Sequence, residues 1–186
     1  MDKYDCLESV VRNSLGSVVW SHKIQEKQAD VYQKRFRTLE TIKIIAASIT
    51  SAGLVSLLFT DAFWLKLVST VVSFVSIFIS AFFKSFNLNT MVNEHKRSAV
   101  ALLSTRDQLT MLILKIKLRN ETVDCLCNQY EQIMKQLHKV YIEAPNTTDT
   151  AVKKAKTALE VTQDNTFLDE EIDQYLPKAL RKDGHL

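Results

Sequence analysis

IIAASITSAGLVSLLFT (Ile44–Thr60) and LVSTVVSFVSIFISAFF (Leu67–Phe83) are two runs of 17 residues without a charge, separated only by DAFWLK at 61–66. Each is apolar all round rather than along one stripe, and a chain of 186 residues has no core in which to hide two such helices. Paired across a short turn that carries Phe63 and Trp64, they predict a transmembrane hairpin with aromatic residues at the interface, at the short end of the length a bilayer requires. Lys23, Lys27, Lys34, Arg35, Arg37 and Lys43 precede the first run and Lys84, Lys96 and Arg97 follow the second, whereas the turn holds only Lys66. Positive flanks stay inside, so both termini are expected in the cytoplasm.

The spans are laced with small residues. Ser69, Ser73, Ser76 and Ser80 share one face of the second, and Ser48, Ala52 and Ser56 form a ladder on the first. Such faces let membrane helices approach closely; in an oligomer the serine face can instead line a polar path. No Asp, Glu, Lys, Arg or His lies within either run, which argues against a proton relay or a transporter ion site.

Around the hairpin the chain reads as helix throughout, with only 3 Gly and 2 Pro. The expected class is an all-α membrane protein of one domain, 1–186. A cytoplasmic amphipathic helix over 17–43 carries Trp20, Ile24, Val31, Tyr32, Phe36 and Leu39. After the hairpin, one long helix over 88–143 bears a heptad seam interrupted at Arg119. The seam comprises Leu102, Leu109, Leu112, Ile116, Val123, Leu126, Tyr130, Ile133 and Leu137. It can close against Ser17–Thr41 or between subunits as a coiled coil, and a mixture of both is expected, making a homo-oligomer. Ala144-Pro145-Asn146 ends the helix. Two short helices follow over 148–162 and 167–176, the first with Ala151, Ala155, Ala158 and Leu159 on one face, the second opened by a Thr166/Asp169 capping box and stopped by Pro177. Asp169, Glu170, Glu171 and Asp173 form an acidic cluster that reads as a solvated face or as a regulatory contact for a basic partner.

Chemistry is sparse. Cys6, Cys125 and Cys127 give neither a disulfide framework nor zinc spacing. There is no phosphate loop and no recognisable nucleophile set, so no catalytic, cofactor or metal residue is expected. His95 reads as a packing residue of the seam and Arg106 as a snorkelling or paired side chain. A net charge of +3 is too weak to suggest sequence-specific nucleic-acid binding.

The layout resembles the SLATT family of two-transmembrane effector domains. The resemblance is carried by Trp20-Ser21-His22-Lys23 with Ala29 and Tyr32, by Glu94-His95-Lys96 with Ala99 to Asp107, by Tyr141-Ile142-Glu143-Ala144-Pro145, by Thr148, Ala151, Ala155 and Lys156, and by Phe167 to Asp173 with Leu176-Pro177. It implies an anti-phage effector that oligomerises and permeabilises or depolarises the membrane, in abortive infection, when a cytoplasmic partner signals. The partner would be a nucleotidyltransferase, a SLOG sensor or, by the closing motifs, a reverse transcriptase encoded nearby. The competing reading is a scaffold that only anchors a soluble defence partner to the lipid bilayer.

Overall fold

The computed structural model describes residues 2–56, 63–85, 87–164, 167–177 and 181, and everything regular among them is helix. The helices are α1 (Lys3–Ser56), α2 (Phe63–Ser85), α3 (Leu88–Leu118), α4 (Val123–Glu143), α5 (Asp149–Glu160) and α6 (Asp169–Tyr175).

α1 is longer than the sequence suggests, because the helix expected over 17–43 starts at Lys3 and runs unbroken into the first apolar stretch. Its first turns are amphipathic: Leu7, Val11 and Val18 recur at helical spacing and are all buried. α3 lies along α1, and α4 folds back against both. The core joins Leu7, Val11 and Val18 of α1 to Leu102, Leu109, Leu112 and Ile116 of α3 and to Leu126 and Leu137 of α4. Burying each leucine contributes roughly 1.5–3 kcal/mol.

The single helix expected over 88–143 is instead two. α3 stops at Arg119, which takes a left-handed backbone (φ 52°) and donates its N–H to the carbonyls of Lys115 and Ile116. A non-glycine residue resists this conformation, and the side chain offsets the cost by docking on the start of α1. Its guanidinium lies 5.1 Å from the Tyr4 ring centroid and 2.9 Å from the Asp2 carboxylate. Thr122 then caps α4 by accepting from the N–H of Cys125. All nine seam residues sit in the core or against it, and the seam closes on itself and on Tyr4, Leu7, Val11, Leu15 and Val18 of α1, a stretch that starts before Ser17–Thr41 and reaches into it at Val18. Trp20, placed on the apolar face by its spacing, is exposed.

α4 ends at Glu143 before Ala144-Pro145. α5 presents buried Ala151, Ala155 and Ala158 to α1. Before α6, the N–H of Leu168 donates to the Glu171 carboxylate, two residues beyond the expected Thr166/Asp169 box; Thr166 lies outside the described residues.

At the other end α2 returns along α1. Residues 57–62, which include the end of the first apolar run and the start of the turn, lie outside the described residues. Among the described residues no helix is long and apolar enough to cross a membrane, so the expected pair of spanning helices is not met there. The first apolar run is cut at Ser56 by residues that lie outside the described ones, and the second run lies within the 23 residues of α2.

Candidate functional site

Two features of the fold concentrate unusual chemistry: a polar ladder inside the bundle and the apolar hairpin above it.

The ladder follows from α4 running parallel to α1. Going up the bundle, the Tyr4 hydroxyl donates to the carbonyl of Glu121, Ser14 bonds the Tyr130 hydroxyl at 2.8 Å, and Ser21 bonds that of Tyr141 at 3.1 Å. Above them Gln25 Nε2 donates to the Pro145 carbonyl at 3.1 Å, and Gln28 Oε1 accepts from both the N–H and the hydroxyl of Thr148 at 2.8 Å. Thr148 therefore occupies the N-cap position of α5 while its hydroxyl serves α1 instead of the helix.

Gln25 also reaches α3. A carbonyl can only accept, so the Pro145 contact fixes the amide with Oε1 pointing to His95, whose Nδ1 must then carry a proton. The Tyr32 ring lies 5.4 Å from the His95 ring. Burial pushes the His95 pKa below the usual histidine range, with Glu94 partly opposing, so the neutral ring is favoured. His95 is thus a hydrogen-bonded packing residue.

One step below, Lys23 is only 2% exposed, yet it is paired: Nζ lies 2.8 Å from Glu26 and 3.6 Å from Asp164. Lys27 joins the same carboxylate at 3.2 Å and, through this hydrogen bond, holds the Asp164 pKa below the ordinary carboxylate range. Arg106 is half-buried and pairs with Asp107. The ladder brings together segments widely separated in the chain, those around Trp20–Tyr32, Glu94–Lys96, Tyr141–Pro145 and Thr148–Ala155. Gln25, Gln28 and Asp164 carry no signal in their residue type, because each looks like surface, and Lys23 stands out in the sequence only as a positive flank and within Trp20-Ser21-His22-Lys23. The only signal is that Gln25 and Gln28 share a helical face with Val18 and Ala29.

The hairpin carries the small-residue ladders. Ser69 is buried, Ser73 and Ser76 are half-buried, and Ser80 is exposed. α1 and α2 meet so closely that a Cβ added at Gly53 would collide with Ser69 Oγ. Ser48 and Ala52 are exposed, and the side chain of Ser56 lies outside the described residues. Ser48, Ser73 and Ser80 donate to the carbonyls of Ile44, Ser69 and Ser76, which removes their hydroxyl hydrogens from the helix surface. Around this seam the hairpin is an apolar wall: Ile44, Phe63, Trp64, Phe74, Ile77 and Phe78 are each more than 60% exposed.

The acidic cluster is not one surface. Glu170 is exposed, Glu171 is held by the N–H of Leu168, Asp173 is buried, and the Asp169 side chain lies outside the described residues. Cys6, Cys125 and Cys127 are free thiols, and no group of three or more His, Cys, Asp or Glu among the described residues can hold a metal ion.

Comparison with known proteins gives one match. The family profile described as SMODS and SLOG-associating 2TM effector domain family 4 matches residues 7–171. No curated protein and no solved structure matches the chain.

Proposed function

The chain belongs to the SMODS and SLOG-associating 2TM effector domain family 4, a family of defence-system effector domains rather than of known enzymes, and we propose that it acts as a membrane-inserted effector. In this reading the α1–α2 hairpin enters the inner membrane with the helical bundle and both termini on the cytoplasmic side. Several copies assemble, and the assembly permeabilises or depolarises the membrane when a cytoplasmic partner triggers it.

The observation that carries the reading is the wall of exposed Ile44, Phe63, Trp64, Phe74, Ile77 and Phe78, an apolar surface larger than a water-facing helix pair tolerates. A hairpin this short meets a bilayer by thinning it or by assembling, which is also a route to a leak. Ser69, Ser73 and Ser76 serve chiefly as the packing face between α1 and α2, supported by the Gly53–Ser69 approach, and exposed Ser48, Ala52 and Ser80 are left for contact between copies. The nine residues of the heptad seam hold each protomer together, and copies associate through the hairpin and the outer faces of α3 and α4. The partner is a nucleotidyltransferase, a SLOG-type sensor or a reverse transcriptase encoded nearby; the last rests on the closing motifs alone. Exposed Glu170 and Glu171 are its candidate contact.

The test is inducible expression in bacteria, recording membrane potential by dye and viability together, with and without the neighbouring genes. Rapid depolarisation is expected. Normal potential under every condition, with the chain confirmed in membranes resistant to alkaline carbonate, sinks the effector reading in favour of a scaffold.

A further inference from the structure

At the junction between bundle and hairpin, α1, α5, the end of α2 and the start of α3 line an open pocket of about 420 Å³. Its rim is cationic, with Lys34 and Arg35 from α1 and Lys154 from α5, all exposed. None of the three forms an ion pair among the described residues. Lys23, Lys27, Lys115 and Arg119, by contrast, each face a carboxylate. Thr38 and Thr150 add hydroxyls one turn from Lys34 and Lys154. The floor is apolar: Val31 and Leu88 are buried, and Leu39 and Phe82 line the side toward the hairpin. Three unneutralised cations above an apolar floor complement one kind of molecule, an amphiphile with an anionic head.

The geometry points to a binding site for an anionic phospholipid, its phosphate held by Lys34, Arg35 and Lys154 and its acyl chains running along Leu39 and Phe82 toward the hairpin. This inference rests on the membrane reading above, which places the pocket at the level of the headgroups. A soluble phosphate would use the rim and leave the floor empty; a lipid uses both. Anionic lipid so bound ties α1 to α5 at the point where the bundle meets the membrane.

The test uses the full chain in non-ionic detergent micelles, mixed with dioleoyl phosphatidylglycerol or dioleoyl phosphatidylcholine and examined by native mass spectrometry. The wild-type chain is expected to retain phosphatidylglycerol selectively. Lys34→Gln with Lys154→Gln should weaken that retention by roughly 30-fold. Lys34→Arg with Lys154→Arg should preserve it, and unchanged helical circular dichroism certifies that the variants fold. Equal retention of the two lipids, or selectivity that survives the glutamine substitutions, overturns the proposal. So does inorganic phosphate raising the melting midpoint as much as phosphatidylglycerol, which marks a free-anion site. Release of the wild-type chain from cell membranes by alkaline carbonate, with headgroup selectivity intact, instead sinks membrane insertion and leaves the pocket. An integral chain without selectivity does the reverse.

Discussion

Gln25 of α1 joins His95 of α3 through a buried hydrogen bond from Nδ1–H to Oε1, while its own amide donates to Pro145 beyond α4. A single side chain thereby fixes the relative height of three helices. Burial depresses the His95 pKa, and burial does the same to His22, with Lys23 and Arg106 reinforcing and Glu26 opposing. A histidine depressed in the folded state binds its proton more readily in the unfolded chain. Stability is therefore complete above the unfolded pKa of about 6.5 and declines as pH falls below it. Thermal melts in detergent should show a lower midpoint at pH 5.5 than at pH 7.5, and His95→Gln should reduce that difference. A midpoint indifferent to pH in the wild type would show that the histidines do not control it.

The approach of Gly53 to Ser69 Oγ leaves no room for a large side chain. Gly53→Leu should separate α1 from α2 at a cost of about 1–3 kcal/mol. Gly53→Ala asks only that the serine hydroxyl turn away, and in a Ser69→Ala background it should be close to wild type. Cysteine cross-linking between α1 and α2 reports the separation directly; equal cross-linking in the leucine variant would refute the close packing.

Leu109 is fully buried and Met111, two residues on, is 55% exposed. Leu109→Ala should therefore destabilise the bundle by about 2–5 kcal/mol, whereas Met111→Ser should stay within about 0.5 kcal/mol. Urea titration in dilute detergent distinguishes the two. A dependence of the Leu109→Ala effect on protein concentration would show that the seam is shared between copies.

Arg119 supplies both the left-handed turn and the clamp on Asp2 and Tyr4. Arg119→Gly keeps the turn and loses only exposed contacts, which are worth about 0–1 kcal/mol. Arg119→Val also brings a β-branched side chain into the left-handed region, and should cost about 1–2 kcal/mol more. Equal melting midpoints for the two variants would place the strain elsewhere.

Much of this fold is legible in the residue spacing. The burial of Leu102, Leu109, Leu112, Ile116, Leu126 and Leu137 follows from the heptads, because period alone selects the face. The reversal at Arg119 does not, since neither glycine nor proline marks it and the turn is stabilised by Asp2 and Tyr4, more than a hundred residues earlier. The first turns of α1 are hidden for a related reason: their apolar residues are spaced among charges and become a core only when α3 and α4 arrive. The polar ladder is the least legible part. Lys23, Gln25 and Gln28 are ordinary surface types, and their burial is a tertiary property created by Asp164, Pro145, Thr148 and His95.

Because α1 is one uninterrupted helix from Lys3 to Ser56, it works as a shaft. At about 1.5 Å per residue it is roughly 80 Å long, so a tilt of about 5° at its base swings its far end by roughly 7 Å. A twist imposed where Lys23, Gln25 and Gln28 are gripped is delivered to Gly53 without a hinge to absorb it. Whatever loosens that grip turns the axle on which the hairpin is mounted.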